Sequence, residues 1–344
     1  MATIKEVALA AGVSVSTASI VLRGEAEKRK ILPQTAEKVM RAAQQLGYQP
    51  NVSARRLRAP QTDGLMISIF WASFWAGEFR APTLQFLRGV QTVLDSCETK
   101  CEIMIHPYQR GRLRDNLSRL SLCHAAIVCN ATPQDMEALE KTMLPVPVVL
   151  HSRESAVLPC VHVDYNVAGQ MPVDIFDQCG GQQTVLCVPS ARFSGADTCE
   201  QAFIRCALER GMSVRRLEVE HTMQGGFEAA ERIAAMPNHP DSVFFLSDVL
   251  ALGSLKGFQH CGLRVPEDVR LISLGSYDAD MAEYVTPSLS VIRVPLEEMG
   301  AAAFQKALHY LTGVPEERET VIPVRYIARE SCGGRYDGPS TVSQ

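Results

Sequence analysis

The chain has 344 residues, of which 46% are hydrophobic and 21% charged: ordinary globular composition, with length for two or three sizeable cores. Its net charge of −4 is unevenly placed, because residues 1–60 carry ten Lys and Arg against four Glu, a head of +6 that leaves −10 on the remainder. No apolar run is long enough to span a bilayer, and the eleven cysteines, all between Cys97 and Cys332, show neither a CxxC pair nor metal-ligand spacing. Lys5 and Glu6 interrupt the one early apolar run that a secretory signal would need. These features lead us to expect a cytoplasmic protein with reduced thiols, no metal, no cofactor and no membrane partner. The basic head on an acidic body is the footprint of a domain that meets a polyanion.

The first predicted elements lie in "TIKEVALAAGVSVSTASIVL". Thr3 is a good N-cap, and Glu6 three residues later completes a capping box. Ile4, Val7, Ala8 and Ala11 follow helical spacing and form the inward face. Gly12 supplies the permissive backbone of a sharp turn, and Ser14 caps a second helix from about Val15 to Leu22. The composition of that second helix is poor for helix formation, rich in Ser, Val and Thr, so tertiary packing must hold it. Ala18, Val21 and Leu22 point inward, which leaves Val15, Ser16, Thr17, Ser19 and Ile20 outward. Those side chains are short enough for the helix to sit deep in a major groove. A third helix begins around Pro33 to Thr35 and runs to Leu46, with Gly47 at its end. "GYQPNVSARRLR" then forms a basic connector.

From Gly64 onward, short β-branched runs alternate with helical segments. "GLMISIF", "CEIMIH", "AAIVCN", "VPVVL", "TVLCV", "SVFFL" and "VRLISL" read as strands, while "TLQFLRGVQTVLDS" and "EQAFIRCALERG" read as helices. The alternation predicts parallel, doubly wound α/β layers, and the length favours two similar lobes over one sheet. Phe70 is expected to end the first strand, placing both tryptophans of the chain, Trp71 and Trp75, in the loop that follows. No GxGxxG follows the first strand, and there is no P-loop or GxSxG elbow, so an enzyme is not expected. A plain solute-binding protein would not need the basic head, and a DNA-architectural protein would not need so large an acidic body.

The opening stretch, coupled to "GYQPNVSARRLR" at its spacing, resembles the helix-turn-helix and hinge of the lac repressor family of bacterial transcription regulators. "SDVLALGSLKGFQHCGLRVPEDVRLISLGSYD" and "TPSLSVI" extend the resemblance through the body to about Glu330. The resemblance implies an all-α helix-turn-helix domain (1–50), a hinge helix and linker (51–60), and a two-lobed, periplasmic-binding-protein-like α/β domain (61–330). A tail, 331–344, is expected to lack structure. Lobe one is expected over about 62–163 and lobe two over 164–290, with the chain then recrossing: the helix after Pro295 in lobe one, the strand near Val321 in lobe two. The implied function is a transcription regulator, a repressor, acting as a homodimer or a tetramer on a near-palindromic operator at the nucleoid. Helices such as "TLQFLRGVQTVL" would supply the dimer seam.

By the same resemblance, Thr3 and the second helix form the reading unit. Val15, Ser16 and Ile20 meet base edges, and Thr17 and Ser19 meet phosphates. In the hinge, Asn51, Ser53, Ala54, Arg55 and Leu57 lie at the minor groove, with Leu57 as the wedge between base steps. Ile20 departs from the Arg of many relatives. The small-molecule effector, a sugar or related metabolite, is expected between the lobes, near Trp71, Phe74, Trp75, His151, Cys199, His221, Asp248 and Tyr277. Cys199 stands where many relatives carry Arg, and Tyr277 where they carry Asp. Two readings of those losses stay open: an effector more aromatic or less hydroxylated than a typical sugar, or a site that no longer binds a metabolite.

Overall fold

The computed structural model describes residues 3–22, 26, 29–46, 64–73, 81–190, 194–275 and 279–334. Three helices open the chain: α1 (Ile4–Ala11), α2 (Val15–Leu22) and α3 (Pro33–Gln45). α1 and α2 meet at 103°, the angle of a helix-turn-helix pair. The turn works because Gly12 takes φ +65, the left-handed region, and returns its N–H to the last turn of α1. Val7, Ala8, Ala18, Val21, Leu22, Val39, Ala42 and Ala43 form a small core of their own, and the alanines let the helix axes approach closely. Of the inward positions expected from the sequence, Val7, Ala8, Ala18, Val21 and Leu22 are buried, while Ile4 and Ala11 are half-buried at the edge of this core.

The body holds two six-stranded sheets. The first contains β1 (Leu65–Ser73), β2 (Cys101–Gln109), β3 (Ala125–Cys129), β4 (Val148–His151) and β5 (Cys160–His162), with helices α4 (Ala81–Ser96) and α5 (Pro133–Glu140) in the intervening chain. Its strand order is β2-β1-β3-β4-β5, the β1–β5 neighbours pair in parallel, and a late strand, β11 (Glu319–Val321), joins the far edge. The second sheet repeats this plan. It contains β6 (Gln183–Pro189), β7 (Ser213–Val219), β8 (Ser242–Phe245), β9 (Arg270–Gly275) and β10 (Ser290–Arg293) in the order β7-β6-β8-β9-β10, again in parallel. β12 (Arg325–Ile327) closes its edge antiparallel to β10. Helices α6 (Tyr165–Gln178), α7 (Ala196–Glu209), α8 (Met223–Ala234), α9 (Asp248–His260), α10 (Ala279–Glu283) and α11 (Leu296–Thr312) complete the body. Repetition of one strand order in each sheet is what two doubly wound lobes require.

The chain divides into two compact units, Met1–Ala76 with Val90–Val161 and Ala301–Thr320, and Gly77–Gly89 with His162–Gly300 and Val321–Gln344. Three expectations are corrected. The segment expected to lack structure from 331 begins with a buried turn, Glu330–Cys332, which Ser331 ties to Ser288, Ser290 and Leu271. The strand near Val321 belongs to the first sheet, and it is Arg325–Ile327 that joins the second. The first strand does not end at Phe70 but runs to Ser73, so Trp71 is a strand residue, only 8% exposed. Parallel pairing to both β2 and β3 extends through Trp71, and this neighbourly support carries the strand past its most apolar stretch. Among the described residues, no single helix is long and apolar enough to cross a membrane.

Candidate functional site

The reading unit is assembled by short-range hydrogen bonds. Thr3 and Glu6 form a reciprocal capping box: the Thr3 N–H donates to Glu6 Oε2 at 2.6 Å, and the Glu6 N–H donates to Thr3 Oγ1 at 3.4 Å. The Thr3 N–H, and after it the Thr3 hydroxyl at 3.1 Å, donate to the Glu6 carboxyl and hold it below its ordinary range. At the head of α2, the Thr17 N–H donates to Ser14 Oγ at 3.0 Å, and the two hydroxyls share a bond at 2.8 Å. The cap leaves Val15 and Ser16 exposed, with Thr17, Ser19 and Ile20 half-buried and Ala18, Val21 and Leu22 beneath them. This is a compact ridge of two exposed side chains on a helix N-terminus, whose partial positive charge favours an anionic backbone nearby. The Thr17 hydroxyl is engaged with Ser14, so its first duty is to the helix rather than to a phosphate. Asn51, Ser53, Ala54, Arg55 and Leu57 of the expected hinge lie outside the described residues, as do Phe74, Trp75 and Tyr277.

Four of the remaining candidates, Trp71, His151, His221 and Asp248, fall at or after the C-terminal ends of strands, where open α/β sheets bind ligands. In the first unit, Trp71 on β1 and His151 at the end of β4 sit together, ring centroids 6.3 Å apart. Both are buried, and burial pushes the His151 imidazole down to about 3, so it is neutral at physiological pH. In the second unit, His221 follows β7 and its Nε2 meets Ser247 Oγ at 2.8 Å. Ser247 precedes Asp248, the first residue of α9, whose carboxylate accepts from the Val249 N–H at 3.0 Å and is 4% exposed. His221 and Asp248, 27 positions apart in the chain, are therefore brought together through Ser247. Cys199 is elsewhere: it is wholly buried in α7, in the seam where its carbonyl lies against Gly169 of α6.

Asp248 also lines a cleft of about 150 Å³ within the second unit, beside Gln85, Arg88, Gly275, Arg293, Glu297 and Arg329. Its lining carries three guanidinium groups and two carboxylates. Arg329 is 6% exposed and anchored: one terminal nitrogen donates to Leu289 O at 2.7 Å and the other faces Glu283 at 3.8 Å. Sequence reasoning missed all three arginines. Arg293 at the end of β10 carried a usable signal, since it closes a run otherwise buried and lies at a strand's C-terminal end. Gln85 and Arg88 are on a helix whose apolar pattern spoke only of packing.

Comparison with known proteins agrees with this geometry. Residues 3–51 match the family of bacterial regulatory proteins, lacI family, and residues 174–332 match a periplasmic binding protein-like domain. Over 342 residues the chain is 24% identical to a probable HTH-type transcriptional repressor, ExuR, of Bacillus subtilis, covering 96% of this chain and 98% of that protein. It is 27% identical to catabolite control protein A of Priestia megaterium over the same shares. Among solved structures, the lac repressor dimer bound to operator and the anti-inducer ONPF superposes with a TM-score of 0.69 at 19% identity, over 96% of this chain and 99% of that one. The chain thus joins a reading head that matches the lacI family of bacterial regulatory proteins to a lobe that matches a periplasmic binding protein-like domain, and over nearly its full length it is similar to proteins named as transcriptional repressors.

Proposed function

We propose that this protein is a sequence-specific DNA-binding transcription regulator, a repressor, that acts as a homodimer on a near-palindromic operator and whose affinity is set by a small-molecule effector. The observation that carries the reading is the ridge of Val15 and Ser16 on a capped helix, held at 103° to its partner over a dedicated alanine-rich core. A helix so poor in intrinsic propensity is maintained for what it presents. One such helix reads too few base pairs alone, which is the reason for a two-fold partner. Relatives named as repressors, and a fold neighbour solved on its operator, support the assignment. The role is binding rather than catalysis, and the place of action is the nucleoid in the cytoplasm.

For the effector, the cleft around Asp248 favours a metabolite that offers hydroxyls or an amine to the carboxylate and an anionic group to Arg88 or Arg293. That occupant differs from a neutral sugar, and it restores in new positions the cationic group that is missing at Cys199. The test is selection of bound genomic fragments by the full-length protein, followed by titration of acidic and neutral sugars against the selected operator. Fragments with no shared two-fold motif would overturn the DNA reading. A selected operator answered by neutral sugars alone would overturn the effector class and leave the DNA reading standing.

A further inference from the structure

The edge of the first sheet brings together three side chains that the functions proposed above do not use. β5 (Cys160–His162) and β11 (Glu319–Val321) lie side by side there. The Cys160 N–H donates to Arg318 O and the Ile322 N–H donates to His162 O, each at 2.8 Å. Bonds in that pattern belong to a parallel pair, and they set Glu319 opposite Cys160. Paired residues share a face of the sheet, and His162 is two positions on from Cys160 in the same strand. All three side chains therefore rise from one face. The Cys160 sulfur, a His162 ring nitrogen and a Glu319 carboxylate oxygen all lie within 4.8 Å of one another, the one such group of three among the described residues. Cys160 and His162 are buried while Glu319 is exposed, so a cation reaches the cluster past the carboxylate.

His162 is held in the form that ligation needs. Its Nδ1 lies 3.2 Å from Val163 O, and a carbonyl only accepts, so Nδ1 carries the proton. In the neutral ring that leaves the lone pair on Nε2. Donation from one ring nitrogen to a backbone carbonyl is what fixes the tautomer and orientation of metal-bound histidines. The donor set chooses the ion. Calcium and magnesium take oxygen ligands, whereas a thiolate with an imidazole suits zinc. One sulfur, one nitrogen and one oxygen leave the fourth corner of a tetrahedron to water. We propose that Cys160, His162 and Glu319 form a binding site for a single Zn²⁺ that clips the edge strand β11 to β5. On binding, the Cys160 S–H bond breaks, its proton passes to the buffer, and bonds from zinc to sulfur, nitrogen and oxygen form; nothing is oxidised. β11 is three residues long with one strand neighbour, so its ladder has few bonds and the metal adds a tie that the backbone lacks. None of the three residues lies in the reading head or lines the cleft at Asp248, so the zinc site stands or falls apart from the function proposed above.

The test uses reduced, metal-free full-length protein. Zn²⁺ is titrated in competition with a chelating indicator, and Co²⁺ is added to a second sample as a spectroscopic substitute. We expect one tightly held Zn²⁺ per chain, and a Co²⁺ complex with a thiolate charge-transfer band in the near ultraviolet. Cys160→Ser should remove that band, and His162→Gln should abolish tight binding. Glu319 is exposed, so Glu319→Gln probes the site without disturbing the interior. It should weaken Zn²⁺ binding by about tenfold or more, and Glu319→His, which supplies a new ligand, should recover most of the loss. Cys261→Ser, at an exposed thiol in α9's C-cap, should bind like the parent. Zn²⁺ should also raise the thermal midpoint of the parent and of Cys261→Ser, but not that of Cys160→Ser. A parent chain that leaves all its Zn²⁺ on the indicator overturns the site, as does a charge-transfer band that survives Cys160→Ser. Unchanged Zn²⁺ affinity in Glu319→Gln overturns it equally. If circular dichroism shows that the Cys160 and His162 variants do not fold, the two Glu319 variants still decide the outcome.

Discussion

Ser16 and Thr17 are neighbours in the chain with different employment. Ser16 is exposed at the head of the reading helix, whereas the Thr17 hydroxyl is bonded to Ser14. Substituting Ser16 should therefore change which operator is preferred, by about 1–3 kcal/mol for each base pair affected. Thr17→Val should weaken all operators alike and lower the stability of the head by about 1 kcal/mol, because the hydroxyl bond to Ser14 is lost while the backbone cap bond remains. Affinity measured across an operator library separates the two, and a uniform loss in the Ser16 variants would show that Ser16 does not meet a base. Buried histidines make a second residue-scale effect. His151 is pushed down to about 3 by burial, and His106, held between Ser68 and Arg119, is also lowered by burial and then by the Arg119 charge. The unfolded chain binds these protons from about pH 6.5 downward, while the folded chain refuses them. The stability they confer is thus complete above that pH and is lost as pH falls toward 3. Urea midpoints at pH 7.5 and 5 should differ, with a slope of up to about 1.4 kcal/mol per pH unit from His151 alone. His151→Gln should flatten that slope even though its packing is poorer.

Elements show how unevenly sequence speaks for itself. The head was legible because its instructions are local: Thr3 with Glu6, Gly12 at the turn, Ser14 with Thr17. Gly12 sits at φ +65 with open space around it, so Gly12→Ala meets no clash and costs only its backbone preference, about 1 kcal/mol. The contact of α8 with α9 is different. A Cβ on Gly226 would stand 2.0 Å from Leu250 O, and one on Gly253 would stand 1.9 Å from Met223 O. These are backbone atoms that cannot rotate away, so the helices must separate. Gly253→Ala should cost at least about 1–3 kcal/mol and lower the thermal midpoint well beyond the Gly12 variant. Since α9 begins at Asp248, the same variant should weaken effector binding. A Gly253→Ala protein as stable as the parent would mean that the helix seam is loose.

The whole molecule couples a basic reader to an acidic body. Operator affinity should fall steeply with salt, and replacing Arg55, Arg56 and Arg58 by Gln should reduce the slope of log affinity against log salt by about 0.9 for each phosphate contact removed. An unchanged slope in that triple variant would take the connector off the DNA backbone. The effector can act only through a difference in its affinity for DNA-competent and incompetent states, and a coupling of about 1–3 kcal/mol is the expected scale. Asp248→Asn should abolish this response and leave effector-free operator binding intact, as measured by paired titrations on one protein stock.

The identity of the reader was determined by sequence alone, because caps, turns and a 3.6-residue apolar spacing act over a few residues and need no distant partner. The seven β-branched runs of the body were equally plain, and their alternation with helices specified two parallel layers. What tertiary structure decided was where the marginal segments go. Glu319–Val321 and Arg325–Ile327 are each three residues long, too short for periodicity, and the pairing partner alone assigns one to the first sheet and the other to the second. Trp71 is a strand residue because β2 and β3 both pair beyond Phe70, a support that the local sequence does not carry. The cleft was hidden for the same reason. Arg88, Arg293 and Arg329 come from a helix, a strand and the late C-terminal segment, and only the packing of the strand ends brings these three unremarkable residues to Asp248, which the sequence had singled out.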